Sequence, residues 1–258
     1  MDALLLAAGF GTRLLELTQS WPKCLMPVKG TPLLEYWIAN IRQSPIDRIF
    51  VNTHAHAQIV EDFLRRPAFE SYVKILHEPS LLGTAGTISR LSNEGIKFPL
   101  VVIHADNWCD MPVSELLDYH LYQKPANCLI SMMTFISENP HSCGILEVDQ
   151  RGVVQAIHEK VKSPPTKIAN GAVYVFDAQV VEYITENDLN DISTQVLPNF
   201  LGQIATIPNT GVHRDIGSKT QLFRAQFDEF SIQPDFPIDH WSEEFASHRI
   251  HQQIKGLR

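Results

Sequence analysis

Short apolar runs alternate with helix-like segments over the first 106 residues, and this alternation most constrains the fold. Each run is brief and continuously apolar, which is typical of a strand buried on both faces. Between the runs, apolar residues recur at helical spacing, and Thr31 and Pro32 are predicted to open the first helix. This order predicts a parallel sheet with helices on both faces. The strand-like runs are 3–6, 49–51, 73–76 and 100–103, and the helix-like segments are 31–41, 57–65 and 84–91.

The pattern changes after Lys124, where strand-like runs follow one another directly. A turn is predicted at 149–152, and no linker, internal repeat or low-complexity tract separates the two halves. We therefore expect an α/β protein in which the second half extends the sheet as a mixed sheet. One domain is predicted over residues 1–228, with a C-terminal tail over 229–258 that packs on it. The strand-like runs of the second half are 128–135, 144–148, 153–158 and 172–176, and its predicted helices are 178–184 and 219–227.

Composition and charge exclude several classes of protein. The chain has 258 residues, 44% of them apolar, and a formal net charge of −8. An acidic chain is not expected to bind nucleic acid by counterion release, and no apolar run approaches the roughly 20 residues that span a bilayer. No basic segment precedes the first apolar run, which favours a buried strand over a signal peptide. We expect a cytoplasmic protein with reduced cysteines that binds neither nucleic acid nor membrane.

The first apolar run leads into Gly9-Phe10-Gly11, and two cations, Arg13 and Lys23, follow within a loop. A glycine-rich turn after a buried strand exposes successive backbone amides that bind anionic oxygens. An arginine can fork onto phosphate oxygens, while a lysine acts as a compact point charge. The stretch therefore suits a nucleoside triphosphate, although the glycines alone favour an ordinary turn with solvated cations. Neither the Walker motif nor the complete Rossmann spacing is present.

The whole stretch is more specific than its glycines. LAAGFGTRLLELTQSWPKCLMPV resembles the signature GxGTRLxPLTxxxPKxLxPV of the sugar-1-phosphate nucleotidyltransferases, with Glu16 where that family has proline. A second departure is Val161, which replaces a proline in the stretch HEKV. The resemblance implies a Rossmann-like, GT-A-like fold with a mixed, mostly parallel central sheet and helices on both faces. Further stretches that resemble the family are 78–88, 101–110, 158–161, 169–176 and 214–225.

The resemblance also implies the site residues. Arg13 would hold the leaving phosphates, and Lys23 would bridge the α-phosphate and the incoming sugar phosphate. Asp106 and Asp215 would bind Mg²⁺, the one cofactor expected. These four are the predicted catalytic residues. The other predicted residues are Leu6, Ala8, Gly9, Phe10, Gly11, Thr12, Glu78, Gly83 and Thr84 for the nucleotide, and Gly144, Glu159, Lys160 and Asn170, together with Lys23, for the sugar phosphate.

Each assignment has a plainer alternative. Asp106 could cap a strand end, Asp215 could cap the helix that begins near Ser218, and Glu159 with Lys160 could form a solvated strand end. The pair His54 and His56 resembles two metal ligands, but no third ligand is evident, so a histidine pair in a loop is favoured.

The expected partners are a nucleoside triphosphate and a sugar 1-phosphate, and a homo-oligomer is left open. Residues 83–86, Gly-Thr-Ala-Gly, resemble the corresponding loop of guanylyltransferases that act on mannose or heptose 1-phosphate. A carboxylate at Glu78 could accept hydrogen bonds from guanine. Uridylyl, thymidylyl and cytidylyl transfer stay open. Two further alternatives are a silent nucleotide-sugar sensor and a transferase that acts on a phosphorylated non-sugar.

Overall fold

Two structural units make up residues 1–257, which the computed structural model describes. Unit 1 comprises residues 1–4, 82–103 and 113–210. Unit 2 comprises 5–81, 104–112 and the chain from 211 onward, so residues 229–257 belong to it. The predicted boundary after residue 228 stays a prediction.

The secondary structure follows the predicted alternation and adds elements that the sequence patterns did not indicate. The strands are β1 (Asp2–Leu6), β2 (Pro27–Val28), β3 (Thr31–Pro32), β4 (Arg48–Thr53), β5 (Val73–His77), β6 (Leu100–His104), β7 (Asn107–Cys109), β8 (Ile130–Ile136), β9 (Gly144–Val148), β10 (Val154–Glu159), β11 (Ile168–Phe176), β12 (Ile204–Pro208) and β13 (His213–Asp215). The α-helices are α1 (Leu15–Thr18), α2 (Leu33–Arg42), α3 (Ala57–Leu64), α4 (Gly83–Ser92), α5 (Val113–Tyr122), α6 (Ala178–Glu186), α7 (Lys219–Ala225), α8 (His240–Ser247) and α9 (Ile250–Lys255).

Unit 1 contains a mixed sheet organised around β11. This strand pairs antiparallel with β6, β8 and β9, β9 pairs antiparallel with β10, and β12 runs parallel to β8. The register between β11 and β8 shifts between Asn170 and Tyr174, where Ala172 has a φ of 56°. Tyr174, Val175 and Phe176, the last three residues of β11, lie between β6 and β8 and are fully buried.

Unit 2 contains the parallel pair β4–β5, from Ile49 opposite Val73 to Thr53 opposite His77, which confirms the parallel pairing predicted for the first half. It also contains a short antiparallel ribbon of β7 and β13, in which Asn107 faces Asp215. The apolar face of α2 is buried, as its helical spacing predicted, and α3 buries Val60, Phe63 and Leu64.

The predicted start of the first helix was wrong. Thr31 and Pro32 form strand β3 opposite β2, and α2 begins at Leu33. The proline ring fixes φ but leaves ψ open, and Pro32 takes the extended value of 136°. The amide of Leu33 then donates to the carbonyl of Met26 instead of joining a cap.

Two further expectations concern cysteines and membranes. All four cysteines are free thiols, and three of them are buried. Within residues 1–257, no helix combines the length and the apolar character that a bilayer crossing requires.

Candidate functional site

The loop after β1 turns sharply and is exposed. The amide of Ala7 donates to Asn52 Oδ1 at 2.7 Å, which fixes the end of the strand. Gly11 has a φ of +62°, and its carbonyl accepts from the amide of Leu14 at 2.9 Å to begin a short 3₁₀ turn. Its carbonyl also accepts from Thr18 Oγ1 at 3.0 Å. Of the predicted triphosphate residues, Gly9, Phe10, Thr12 and Arg13 are exposed, Leu6 and Gly11 are partly buried, and Ala8 is buried.

Gly11 and Gly9 differ in the space that a side chain would find at each position. A Cβ on Gly11 would lie 2.9 Å from Thr18 Cγ2 and 3.1 Å from Lys23 Cβ, whereas one on Gly9 would have no atom within 4 Å. We expect Gly11→Ala to lower the free energy of unfolding by about 1–3 kcal/mol, because it combines strain with crowding. Gly9→Ala is the matched control and should unfold at the wild-type denaturant concentration. Equal unfolding midpoints for the two variants would contradict the structural role of Gly11.

The four predicted catalytic side chains meet in unit 2. Lys23 Nζ donates to Asp106 Oδ2 at 2.7 Å and to Asp215 Oδ1 at 2.9 Å. Arg13 Nη2 donates to Asp215 Oδ2 at 2.6 Å. The Lys23 side chain is only 6% exposed, while those of Asp106 and Asp215 are 42% and 40% exposed. A buried ammonium therefore lies beneath two carboxylates that face solvent.

The β7–β13 ribbon explains how aspartates so far apart in the sequence converge. Asp215 ends β13 opposite Asn107, the residue after Asp106. The amide of Gly217 donates to Asp215 Oδ1 at 2.8 Å, and a Cβ at Gly217 would lie 2.6 Å from Arg13 Nη2. Sequence reasoning did not single out Gly217, although its place in the Asp-Ile-Gly stretch was a usable signal. The capping alternative for Asp215 was wrong, since Ser218 caps α7 with its own hydroxyl.

Charge pairing sets the protonation of this cluster. Burial is the largest influence on Lys23 and acts to lower its pKa, but Asp106 and Asp215 together outweigh burial and raise the pKa. Burial acts to raise the pKa of Asp215, yet Lys23 and Arg13 hold it below the usual range. At neutral pH the lysine is therefore charged and Asp215 is ionised.

The two aspartates fit a magnesium site in which the protein supplies some of the ligands and the substrate supplies others. Both present carboxylate oxygens, the donors that Mg²⁺ prefers, and both are partly open to solvent. Among the described residues, no group of three or more His, Cys, Asp or Glu side chains could enclose a metal ion. Phosphate oxygens and water would have to complete the shell, as is usual for Mg²⁺ beside a nucleotide.

Glu16, the main departure from the family signature, forms an ion pair with Lys219 at the start of α7. Both side chains lie in unit 2, and about half or more of each is exposed. An exposed pair of this kind contributes little to stability, so we assign this departure no role at the phosphates.

The carboxyl group of Glu78 lies inside unit 2. The residue is fully buried, and its Oε1 accepts from Asn52 Nδ2 at 3.1 Å. Asn52 therefore joins Glu78 to the backbone of Ala7 at the end of β1. The Glu78 side chain thus turns inward to a buried amide, and its contact with a nucleotide base stays a prediction. Asn52 was missed by sequence reasoning, and the signal for it was a polar residue inside an apolar strand.

His54 and His56 do not form a metal pair. His54 Nδ1 lies 2.8 Å from the carbonyl of Glu78, and His56 Nε2 lies 2.7 Å from the carbonyl of Thr18. The ring of Phe10 packs edge-on against His54, with 5.4 Å between centroids. The two histidines thus support separate parts of the loop, as the loop interpretation expects.

Unit 1 contains the residues predicted for the sugar phosphate other than Lys23. Gly144 at the start of β9 pairs with Glu159 at the end of β10, and a Cβ on Gly144 would lie 2.5 Å from the Glu159 carboxylate. Lys160 follows with a φ of 50°, and its amide donates to the carbonyl of Cys143. Burial raises the pKa of Glu159, Lys160 opposes this effect, and Asp191 adds to it.

Asn170 and Tyr174 lie on β11, next to this group. Asn170 Nδ2 donates to the Tyr174 hydroxyl at 2.8 Å, and its Oδ1 accepts from the amide of Ala172. Burial raises the pKa of Tyr174 well above its usual range. Sequence reasoning missed Tyr174, because a tyrosine in an apolar strand is ordinarily a core residue.

Gly83 and Thr84 begin α4 and contact the 190–192 segment within unit 1. Gly83 has a φ of +79°, and a Cβ there would overlap the carbonyl oxygen of Asn190. Thr84 Oγ1 accepts from the amide of Ile192 at 2.8 Å. Both residues therefore fix the start of the helix, and their contact with a nucleotide stays a prediction.

The chain resembles known proteins in sequence. The chain matches the family described as Nucleotidyl transferase over residues 2–230. The mannose-1-phosphate guanylyltransferase of Mycobacterium tuberculosis is 26% identical over 233 residues, which are 88% of this chain and 64% of that protein. The mannose-1-phosphate guanylyltransferase catalytic subunit beta of Drosophila melanogaster is 28% identical over 226 residues, which are 83% of this chain and 59% of that protein. The chain thus spans about three fifths of the length of these relatives.

The fold is shared with a solved structure as well. HddC from Yersinia pseudotuberculosis, solved in complex with GMP-PN, gives a TM-score of 0.72 at 23% identity and covers 88% of this chain and 98% of its own. This likeness confirms the predicted α/β class with a mixed sheet. Since the family match covers nearly the whole chain and includes all four residues of the charged cluster, this chain belongs to the nucleotidyl transferase family.

Proposed function

We propose that the chain transfers a nucleotidyl group from a nucleoside triphosphate to a sugar 1-phosphate and releases pyrophosphate. The observation that carries the proposal is the buried Lys23 ammonium between Asp106 and Asp215. An ammonium has three N–H donors, and two of them go to these carboxylates. The third can be directed to a phosphate oxygen while the aspartates hold the lysine in place.

The reaction joins two anions, and this sets the demand on the site. An oxygen of the sugar phosphate forms a bond to the α-phosphorus, and the bond from that phosphorus to the bridging oxygen of pyrophosphate breaks. At ~4 Å and an effective dielectric constant of ~20, two like unit charges repel by about 4 kcal/mol. Fixed cations and correct alignment must offset that repulsion. A strong general base is not needed, since the attacking oxygen is already anionic.

Each residue of the cluster has a defined task in this proposal. Lys23 holds the oxygens of the two reacting phosphates. Arg13 is 68% exposed and donates to Asp215 through one of its guanidinium nitrogens, which leaves most of its fork for the β- and γ-phosphates. Asp106 and Asp215 would hold Mg²⁺. That ion, when bound, would neutralise part of the phosphate charge. Arg13 and Lys23 cannot do so alone, because the carboxylates of Asp106 and Asp215 already balance their charges.

The nucleotide and the sugar are proposed from the relatives. The two relatives described above are named mannose-1-phosphate guanylyltransferases, which supports GTP and a mannose-type 1-phosphate. A heptose 1-phosphate is proposed from the resemblance of the 83–86 run alone. A uridylyltransferase is also related: the UTP–glucose-1-phosphate uridylyltransferase of a Synechocystis strain is 26% identical over 215 residues, which are 78% of this chain and 55% of that protein. Glucose 1-phosphate with UTP is therefore the second candidate pair.

A pyrophosphate-release screen tests the proposal. Five nucleotides (ATP, GTP, CTP, UTP and dTTP) would each be combined with mannose, heptose, glucose and N-acetylglucosamine 1-phosphate in the presence of Mg²⁺. We expect the fastest release with GTP and a mannose-type or heptose phosphate. Controls without the sugar phosphate exclude simple hydrolysis. An absence of sugar-dependent release in every combination would overturn the proposal.

Glu159 provides a test of the sugar side. We expect Glu159→Gln to raise the KM for the sugar 1-phosphate about tenfold, because an amide replaces a charged acceptor of sugar hydroxyls. The KM for the nucleotide should stay within about twofold, since nucleotide contacts are assigned to other residues. Glu147→Gln is the matched control, because Glu147 lies on the neighbouring strand β9 and pairs with His158. An equal rise in KM for both substrates would contradict a sugar-specific role.

A further inference from the structure

The chain after α7 contacts the elements of unit 2 that carry the proposed catalytic groups. Its first contact is an ion pair beside Asp215. Arg214 Nε donates to Asp228 Oδ2 at 2.8 Å, and Arg214 Nη2 donates to Asp228 Oδ1 at 2.7 Å. Both side chains are less than a fifth exposed. A bidentate pair with little exposure holds its partners in one geometry, so Asp228 fixes the residue next to Asp215.

The second contact lies on the opposite strand of the ribbon. The ring of Phe230 stacks on Trp108, with 4.0 Å between centroids and 22° between planes, and Trp108 is fully buried. Trp108 pairs with Arg214 and stands two residues after Asp106. Ser231 then donates from its amide and its hydroxyl to Asp110 Oδ1, at 2.8 and 2.7 Å. Residues 228–231 therefore hold both strands of the β7–β13 ribbon.

A third set of contacts reaches the loop of Lys23. Trp21 packs against Trp241, Phe245 and His248, with ring centroids 6.5, 5.7 and 4.3 Å away. Trp21 Nε1 donates to the carbonyl of Leu25 at 2.9 Å, so Trp21 and Leu25 bracket Lys23.

Helix α8 is itself anchored to the body of unit 2. Arg66, 3% exposed, donates from Nε to Asp239 Oδ2 at 2.7 Å and also pairs with Glu35. Asp239 caps the helix in a capping box with Ser242. The aromatic residues of α8 therefore contact Trp21 from a fixed position.

We propose that residues 228–248 are a positioning segment for nucleotidyl transfer, in which 228–231 fix the spacing of Asp106 and Asp215 and 239–248 fix the loop of Lys23. The proposal rests on the proposed function. Lys23 joins the carboxylates of Asp106 and Asp215, but a two-stranded ribbon alone is a weak restraint on the backbone that carries them. A displacement of about 1 Å at a reacting group can cost about 10²-fold in rate. The family match ends at residue 230, so most of this segment lies beyond it.

Substitutions in 228–231 and in 239–248 are expected to cause different defects. Asp228→Asn removes one charge of the pair with Arg214, and we expect it to lower kcat about tenfold and to weaken Mn²⁺ binding about tenfold, with the nucleotide KM within about twofold. Mn²⁺ binding is measured by electron paramagnetic resonance and needs no turnover. Trp241→Ala loosens the loop of Lys23, and it should lower kcat about tenfold and leave Mn²⁺ binding unchanged.

Matched controls lie in unit 1. Asp177→Asn removes a half-buried carboxylate that pairs with Lys124, and Tyr183→Ala removes a half-buried aromatic ring that packs on Phe200. Both should lower the denaturant midpoint of unfolding and leave kcat and Mn²⁺ binding at wild-type values. Asp228→Glu, which keeps the charge, should recover part of the lost Mn²⁺ affinity.

Two results would overturn the proposal. One is wild-type kcat and Mn²⁺ affinity in Asp228→Asn together with a loss of stability like that of Asp177→Asn, which would make the segment merely structural. If Asp228→Asn does not fold, Ser231→Ala at the surface replaces it, with an expected loss of Mn²⁺ affinity of about threefold. Wild-type affinity in Ser231→Ala is the other overturning result. If the wild-type chain releases no pyrophosphate at all, the proposed function fails, while the Mn²⁺ comparison still decides the role of 228–231.

Discussion

Replacing Lys23 with alanine is expected to lower kcat by about 10³-fold while the protein stays folded. The ammonium donates to both carboxylates of the cluster, at 2.7 and 2.9 Å. Without it, the two reacting phosphates lose the charge that offsets their repulsion. Its pKa is raised, so the ammonium is charged across neutral pH, and the loss should be the same between pH 6 and 8. Steady-state pyrophosphate release measures the effect.

Lys23→Met is the companion variant, because it fills the buried space of the side chain without the charge. We expect it to unfold at nearly the wild-type denaturant concentration and to be as inactive as Lys23→Ala. An active, folded Lys23→Met protein would contradict the phosphate-bridging role. If only Lys23→Ala were inactive, the buried volume of the side chain would be what matters.

Asp215→Asn is expected to lower kcat by about 10²–10³-fold at saturating Mg²⁺ and to remove most of the activation by added Mg²⁺. The amide loses the charge that draws a divalent ion, and it also weakens the hold on Lys23 and Arg13. A Mg²⁺ titration of the rate measures this directly. Asp149→Asn is the control, since Asp149 is a turn aspartate of unit 1 that pairs with Arg151. Wild-type activity of Asp215→Asn in limiting Mg²⁺ would rule out the metal assignment.

Most strands could be predicted from the sequence because their residues are continuously apolar. The start of α2 could not, since Thr-Pro is compatible with a helix N-terminus and with a strand, and pairing with β2 decided between them. The ribbon of β7 and β13 is too short to leave a pattern, and the approach of Asp106 to Asp215 depends on it. That these two aspartates belong to one site was therefore predicted from the resemblance to a family and not from local residue spacing.

The burial of Glu78 is a second feature that the sequence did not predict. A carboxylate in a loop-like stretch is expected to face solvent, and a hydrogen-bond partner on another element, Asn52 of β4, helps to make burial favourable. The contacts of the C-terminal tail were not predicted from the sequence either. Its aromatic residues are irregularly spaced around several prolines, so neither helical nor strand periodicity indicated that Phe230 would stack on Trp108 or that Trp241 would lie against Trp21.

The chain passes between the two units five times, after residues 4, 81, 103, 112 and 210. A single recombination event therefore cannot replace one unit by the equivalent unit of another protein, because any one breakpoint would mix segments of both. Exchange of a whole unit would require several coordinated breakpoints. The residues assigned to one substrate are also divided, since Gly83 and Thr84 of the nucleotide set lie in unit 1 and Lys23 of the sugar-phosphate set lies in unit 2. Neither substrate preference could therefore be transferred to another protein with one unit alone.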